Sequence, residues 1–278
     1  MLKILLTGEP GVGKSTLLSK ILPSIQLPAR GIVAEEMRSD DGVIRLGFKA
    51  RQIHEPRAEK VFAHMHDIDS QIELGPYKVD VSVFDTFVSE SLKPFPDGVV
   101  VADEIGRMQY LSESFRQSVE TLLGLSNQLV LATIVYDPEP WSLAIKQHPA
   151  AILIRVNPEN RDLLARPIGA LINNSRLLSD LSPNQTGVFI QQSRDLLARG
   201  SFLEFEKLVD NALTYLARDR VRNVDAGTIE VKGFHGPHTV TFSEHTFGCD
   251  CRMFRGEEPY QSPAECSHIK AARIHMQP

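Results

Sequence analysis

Residues 8–16 read Gly-Glu-Pro-Gly-Val-Gly-Lys-Ser-Thr and fit the pattern G-x-x-x-x-G-K-[ST]. The apolar run Lys3–Thr7 comes before this segment, and Leu17, Leu18 and Ile21 follow it at helical spacing. This order predicts a strand, a glycine-rich loop and a helix. Successive backbone N–H groups of such a loop point inward at phosphate oxygens, and the helix N-terminus adds the positive end of its dipole. The segment therefore predicts a binding site for the phosphates of ATP or GTP.

Individual side chains of this loop have separate predicted tasks. Lys14 places a full positive charge between the β- and γ-phosphates, and the Ser15 hydroxyl is the expected ligand of Mg²⁺. Thr16 is expected near the α-phosphate. The loop residues predicted to bind the nucleotide are Gly8, Glu9, Pro10, Gly11, Val12, Gly13, Lys14, Ser15 and Thr16.

A second nucleotide-binding element is predicted at Val99–Glu104, where a buried-strand pattern ends in two acids. Asp103 stands at the carboxyl end of this strand and is expected to hold Mg²⁺, directly or through water. Glu104 follows it, in the position that orients or deprotonates an attacking water. This arrangement favours hydrolysis, because small-molecule kinases need no base for water.

Other polar residues near the predicted strand ends leave alternatives open. Thr133, near the end of Leu129–Ile134, either senses the γ-phosphate or fills a strand position as a β-branched residue. Arg38, Arg45 and Arg107 are candidate cations for transition-state charge, with an ordinary surface arginine as the alternative for each. The guanine-reading motif N-K-x-D does not occur in the sequence, which gives no basis for strict GTP specificity.

Short apolar runs alternate with helical stretches up to about residue 175. Helical spacing occurs at Ser15–Ile21 and Ser114–Leu123. The runs predicted as strands are Lys3–Thr7, Gly31–Glu35, Arg45–Arg51, Tyr77–Val81, Val99–Ala102, Leu129–Ile134 and Ile152–Val156. Several are nearly continuous Val, Ile and Leu, as in central strands covered on both faces. The alternation predicts an α/β fold with a mostly parallel sheet and helices on both faces.

The pattern changes beyond this region. From about residue 176 to residue 222 apolar residues recur at helical spacing and predict packing helices. Thr228–Lys232 and Thr239–Phe242 alternate as strands, and helical character returns at Ser267–Arg273. We therefore expect a phosphate-loop domain at 1–175, a helical linker at 176–225 and a small ββα module at 226–278.

All 3 cysteines lie in the last module, in the pattern Cys249-Asp-Cys251 and Cys266-Ser-His268. An odd number of cysteines cannot pair off into disulfides within one chain. Cys249, Cys251, Cys266 and His268 are a complete tetrahedral set for Zn²⁺ with no open position, as in structural sites. Reduced thiols, no secretory pattern and no apolar run of about 20 residues favour a cytoplasmic protein without a membrane partner.

Several motifs together resemble one known family, the thermophilic-type nucleoside triphosphatases, which includes the so-called cancer-related NTPase. The motifs are Gly8–Thr16, Gly31-Ile-Val-Ala-Glu35-Glu36-Met-Arg38, Arg45-Leu-Gly47-Phe48, Gly75-Pro-Tyr77-Lys-Val79-Asp80, Asp103-Glu-Ile-Gly-Arg107-Met, Leu131-Ala-Thr133-Ile and Asn160-Arg161-Asp162. The resemblance covers about residues 1–175. It implies a RecA-like sheet and slow, Mg²⁺-dependent hydrolysis of several NTPs to NDP and phosphate, with loose base preference.

Carried over by position, the resemblance makes Lys14, Glu104, Arg45 and Arg107 the expected catalytic residues. One departure is visible. Gln109-Tyr110 stands where the family usually has an acidic residue after the methionine, which puts a contribution from that acid in doubt.

The C-terminal pattern, at about 226–275, resembles the SWIM zinc finger, C-x-C-x(n)-C-x-H with two strands ahead of the first cysteine. Such modules bind nucleic acid or other proteins. The net charge of -5 argues against a general electrostatic grip on nucleic acid. Acidic residues of the module, among them Asp250 and Glu265, offset Arg252, Lys270 and Arg273. A protein and a nucleic acid therefore both remain candidate partners.

Three functions fit these features. The first is hydrolysis of NTPs, with the zinc module recognising a partner. The second is a P-loop phosphotransferase, such as a nucleoside or polynucleotide 5′-kinase, although Asp103-Glu104 argues against it. The third is a binding module that a nucleotide switches between two states.

Overall fold

The apolar run before the phosphate loop forms a central strand of a nine-stranded sheet in the computed structural model of this chain. The structure describes residues 1–243, 246–252, 254 and 265–277. Two compact units make up the chain, Met1–Asp162 and Leu163–Pro278. The three-part division expected from the sequence, with boundaries after residues 175 and 225, stays a prediction.

The first unit contains the large sheet. Its strands are β1 (Lys3–Thr7), β2 (Ala29–Arg38), β3 (Arg45–Gln52), β4 (Glu59–His64), β5 (Glu73–Leu74), β6 (Tyr77–Val79), β7 (Val99–Ile105), β8 (Leu129–Ile134) and β9 (Ala151–Arg155). They lie in the order β5-β6-β4-β3-β2-β7-β8-β1-β9.

The five strands from β2 to β9 in this order are parallel to one another. Every residue of β1 and β8 is buried, which explains why these strands are almost continuously apolar. The predicted α/β class with a parallel sheet is therefore confirmed for this half. Because the strands are parallel, the segments that follow β1, β7 and β8 all leave the same edge of the sheet, where α/β folds bind their ligands.

The other half of the sheet is antiparallel. β3 pairs with β2, and β4, β6 and β5 extend the sheet from there. The sequence analysis did not identify β4 because only its last three residues are buried, so its pattern is not that of a central strand. An antiparallel extension on an otherwise parallel sheet is common in such folds.

The helices of the first unit connect these strands. They are Lys14–Ile21, Val81–Val83, Ser89–Ser91, Glu113–Gly124 and Pro140–Lys146, with a π-helical turn at Phe84–Val88 and 3₁₀ turns at Leu22–Ser24 and Gln109–Leu111. Helix Lys14–Ile21 buries Leu17, Leu18 and Ile21, the residues whose spacing predicted it. Helix Glu113–Gly124 begins after Ser112, whose hydroxyl accepts a hydrogen bond from the N–H of Phe115 at 3.0 Å.

A buried lysine supports the opposite end of β1. Lys3 is 1% exposed, and its ammonium donates to the carbonyls of Leu122, Leu125 and Gln128 at 2.6, 2.9 and 2.7 Å. Burial lowers the pKa of Lys3 to about 8. These bonds satisfy all three N–H donors and complement the negative end of the helix that ends at Gly124.

The second unit combines helices with a four-stranded antiparallel sheet. Its helical segments are Ala165–Asn174, Ser175–Asp180, Pro183–Ala198, Phe202–Lys207, Leu208–Ala212, Leu213–Ala217 and Ser267–His275. Its strands are β10 (Val221–Asp225), β11 (Thr228–Gly233), β12 (Gly236–Ser243) and β13 (Thr246–Cys249), paired in that order. The two strands and the helix predicted here are present as β11, β12 and Ser267–His275.

In the part of the chain that the structure describes, every helix is too short or too polar to cross a bilayer.

Candidate functional site

The phosphate loop follows β1 and wraps over the start of helix Lys14–Ile21. Gly13 precedes this helix with φ 101°, a left-handed backbone conformation that favours glycine. A Cβ at Gly8 would lie 2.4 Å from the carbonyl oxygen of Val156, so only glycine fits there. Gly8, Pro10, Gly11, Gly13, Lys14, Ser15 and Thr16 line one cavity of about 630 Å³. Glu9 and Val12 lie in the loop and contribute carbonyl oxygens, which accept hydrogen bonds from Lys14 and Arg161.

Lys14 extends over the loop that carries it. Its ammonium donates to the carbonyls of Gly8 at 2.9 Å and Glu9 at 3.2 Å. These bonds hold a positive charge inside the ring of backbone N–H groups, where the phosphates of a nucleotide are expected.

Asp103 lies at the end of β7 and is 1% exposed. Its Oδ1 accepts hydrogen bonds from Ser15 Oγ at 3.2 Å and Thr133 Oγ1 at 2.5 Å. Its Oδ2 is buried without a hydrogen-bond partner in the described chain. Burial raises the pKa of Asp103, and the bonds from Thr133 and Ser15 oppose that rise. A buried carboxylate oxygen without a partner, beside a serine hydroxyl, is a donor set that suits Mg²⁺.

Thr133, for which the sequence left two roles open, lies beside Asp103. Its side chain is fully buried and donates to Asp103. The hydroxyl therefore supports the carboxylate, in addition to filling a strand position.

Glu104 is the next residue and lines the same cavity. Burial raises the pKa of Glu104, the charge of Lys14 opposes this rise, and the charge of Asp103 adds to it. The Glu104 carboxylate makes no hydrogen bond with any residue the structure describes. It is therefore a partly buried acid with capacity to take up a proton, as a general base requires.

The three candidate arginines all line this cavity, but each is paired with acids. Glu36 binds two of them, with Arg38 Nη2 2.5 Å from its Oε2 and Arg45 Nη2 2.7 Å from its Oε1. Arg107 Nη2 lies 2.9 Å from Asp137 Oδ2 and 2.8 Å from Glu139 Oε1. The guanidinium groups thus line the cavity and form ion pairs with carboxylates.

Gly106 and Gln109 are among the cavity residues that were not expected in the site. Gln109 is 5% exposed although it is polar. Its signal in the sequence was a departure from the family resemblance, which implies an acidic residue after the methionine. A larger cavity of about 780 Å³ lies beside the turn Phe84–Val88 and contains none of the predicted site residues.

A second cluster of functional groups lies in the other unit. The ligand atoms of Cys249, Cys251, Cys266 and His268 all lie within 4.8 Å of one another, and all four residues are buried. Cys249 Sγ is 3.8 Å from His268 Nδ1. Tetrahedral Zn²⁺ places a sulfur and a nitrogen ligand about 3.6 Å apart, so this donor set fits zinc.

The surroundings of the cluster hold its histidine in place. The His268 ring is stacked on Tyr215, with centroids 5.6 Å apart and an interplanar angle of 8°. A Cβ at Gly233 would lie 2.7 Å from His268 Nε2. The hydrogen bond between Cys249 and Cys266 lowers the pKa of Cys266 and raises the pKa of Cys249, so the proton that the two sulfurs share stays on Cys249.

Comparisons with known proteins concern the first unit and the start of the second. Residues 3–169 match the model of the NTPase family. Nucleoside-triphosphatase THEP1 of Aquifex aeolicus is 35% identical over 179 residues, which span 62% of this chain and 99% of that protein. The human cancer-related nucleoside-triphosphatase is 30% identical over 187 residues, 62% of this chain and 97% of that protein.

Solved structures agree with these matches. The crystal structure of Aquifex aeolicus THEP1 superposes with a TM-score of 0.55 at 35% identity and covers 62% of this chain and 99% of that one. The solution structure of the human cancer-related nucleoside triphosphatase gives a TM-score of 0.53 at 28% identity, with 63% and 100% covered. The P-loop NTPase fold is thereby confirmed.

Proposed function

Since the chain belongs to the NTPase family and is a nucleoside-triphosphatase, we propose that it hydrolyses several NTPs to NDP and phosphate, with Mg²⁺ as cofactor and Glu104 as general base. The observation that carries this proposal is the Glu104 carboxylate. It faces the cavity of the phosphate loop, has no hydrogen-bond partner in the described chain, and has a pKa raised by burial.

The proposed step is attack of water on the γ-phosphorus. The water oxygen forms a bond to phosphorus as the bond to the β–γ bridging oxygen breaks. NDP leaves with that electron pair, and the water proton moves to Glu104. Lys14 stabilises the charge that develops on the phosphate oxygens.

Ser15 and Asp103 would hold Mg²⁺, through the serine hydroxyl and the partnerless carboxylate oxygen. When bound, the ion supplies positive charge to the β- and γ-phosphate oxygens. Thr133 keeps the Asp103 carboxylate oriented through its 2.5 Å hydrogen bond.

Arg45 and Arg107 are proposed to add positive charge at the rim of the cavity. Both are more than 40% exposed, so they can exchange a carboxylate partner for a phosphate at little cost. Base preference is proposed to be loose, because the sequence holds no guanine-reading N-K-x-D motif.

Cys249, Cys251, Cys266 and His268 are proposed to hold a structural Zn²⁺ in a SWIM-type module at 226–278, after a phosphate-loop domain at 1–175 and a helical linker at 176–225. Buried thiols suit a reducing compartment, and we place the protein in the cytoplasm. The module is proposed to recognise a macromolecular partner, either a protein or a nucleic acid.

The test is Glu104→Gln, assayed for phosphate release over a panel of NTPs with Mg²⁺. The variant should bind nucleotide with an affinity close to that of the wild type and turn over on the order of 100-fold or more slowly. Wild-type turnover in Glu104→Gln would remove Glu104 as the base. Label from γ-³²P-ATP appearing on an acceptor hydroxyl faster than on phosphate would make the protein a phosphotransferase.

A further inference from the structure

Two residues beside Glu104 have no assigned role, and both shape the space in front of its carboxylate. Gln109 lies in the 3₁₀ turn after β7 and is 5% exposed. Its carboxamide makes no hydrogen bond with any described residue, yet it lines the phosphate-loop cavity. The carboxamide can therefore bind a water molecule or a ligand in the cavity.

Gly106 separates the two side chains. A Cβ at this position would lie 2.9 Å from Glu104 Oε1 and 2.9 Å from Gln109 Oε1. The two side-chain oxygens are therefore less than about 6 Å from each other, and a side chain at position 106 would push them apart. A single water molecule can bridge polar groups at this separation.

We propose that Gln109 positions the attacking water for Glu104, and that Gly106, which has no side chain, lets the two polar groups lie close enough to share this water. The inference rests on the proposed function, in which Glu104 is the base. Glu104 accepts one proton of the water, and the Gln109 carboxamide oxygen accepts a hydrogen bond from the other proton. A lone pair of the water oxygen then points at the γ-phosphorus. Glutamine side chains orient the attacking water in this manner in other P-loop enzymes.

The experiment compares Gln109→Met and Gln109→Glu with the wild type, in the full-length protein with Mg²⁺ and ATP. Gln109→Met keeps the volume and removes the hydrogen bonds. Its kcat should fall roughly 10- to 100-fold, with the Kd for the analogue AMP-PNP within about twofold of wild type, because water is misplaced and nucleotide is not. Gln109→Glu keeps an oxygen that can bind the water and should retain more of kcat than Gln109→Met, a difference that loss of packing alone would not produce.

Matched controls separate position from substitution. Gln117→Met makes the same change on helix Glu113–Gly124, outside the phosphate-loop cavity, and should leave kcat within twofold. Gly106→Ala should lower kcat with AMP-PNP binding retained. Gly124→Ala should not, because a Cβ there meets no atom within 4 Å.

The variants test the role of Gln109 and the role of Glu104 separately. If Gln109→Met and Gly106→Ala keep wild-type kcat while Glu104→Gln is inactive, the water-positioning role is wrong and the proposed function stands. If Glu104→Gln itself keeps wild-type kcat, the proposed base is wrong. Thermal unfolding of every variant shows whether a lost activity reflects loss of the fold.

Discussion

The phosphate-loop cavity and the Cys/His cluster use polar groups in opposite ways. In the cavity, Asp103 Oδ2, the Glu104 carboxylate and the Gln109 carboxamide have no partner among the described residues. In the cluster, three sulfurs and one nitrogen lie within 4.8 Å of one another and leave no open position once a tetrahedral ion is bound. The first arrangement leaves room for substrate and water, and the second leaves room for an ion alone. The comparison supports the proposal that the chain performs chemistry at one site and stabilises its fold with a metal ion at the other.

The largest expected effect comes from removing the ion of the closed site. Elemental analysis should find about one zinc per chain in the wild type and should find it lost in Cys251→Ser. Structural zinc binding contributes on the order of 10 kcal/mol of folding free energy, so the thermal transition of the second unit should be lost or strongly lowered.

His238→Ala is the matched control for this prediction. The His238 ring lies 4.1 Å from that of His268 but is outside the ligand cluster, so this variant should keep its zinc. Both variants should keep wild-type ATPase activity if the two sites work independently. A loss of ATPase activity in Cys251→Ser alone would show that the catalytic site depends on the metal site.

A smaller effect is expected from the residue that supports the open carboxylate. Thr133→Val removes the hydrogen bond to Asp103 Oδ1 and keeps the side-chain shape. Loss of such a supporting bond typically weakens metal binding about 10- to 100-fold. The Mg²⁺ concentration for half-maximal activity should rise accordingly.

Thr7→Val makes the same change at the end of β1, where the hydroxyl donates to the Val135 carbonyl and not to an acid. It should leave the Mg²⁺ dependence within about twofold. Equal Mg²⁺ dependence of both variants would contradict the role given to Thr133.

The smallest effect is expected for Lys3, whose buried ammonium is hydrogen-bonded to three carbonyls of the first unit. Lys3→Met removes the donor to three carbonyls and should lower the free energy of unfolding by about 2 kcal/mol. Turnover per folded molecule should not change, because Lys3 begins the strand whose other end leads to the phosphate loop. Lys20→Met, which breaks an exposed pair with Asp162, should change stability by less than about 1 kcal/mol in urea unfolding.

The sequence was most informative where one chemical reason determines the residue. Phosphate binding requires Gly8–Ser15 in one order, and burial on both faces requires the apolar runs of β1, β7 and β8. The four predicted zinc ligands form two short motifs, Cys249-Asp-Cys251 and Cys266-Ser-His268, and the structure brings the ligand atoms within 4.8 Å of one another.

The contacts that could not be predicted join residues that are distant in the sequence. Glu36 binds Arg45 only because β2 and β3 are antiparallel neighbours, and the sequence pattern did not reveal this orientation. Arg107 meets Asp137 and Glu139 across two strand ends. Gln109 was visible in the sequence only as a departure from the family resemblance, and its burial in the wall of the cavity appears only in the structure.

The pH dependence of kcat, measured for the wild type and Glu104→Gln with saturating Mg²⁺ and ATP, tests the open site most directly. Burial raises the pKa of Glu104 above the ordinary value of 4.5, so the base is protonated at low pH and kcat should rise as pH increases through that pKa. The residual activity of Glu104→Gln should lack this limb and lie on the order of 100-fold or more below the wild type. Wild-type kcat in Glu104→Gln, with the same rise of kcat as pH increases, would contradict the assignment of Glu104 as the general base.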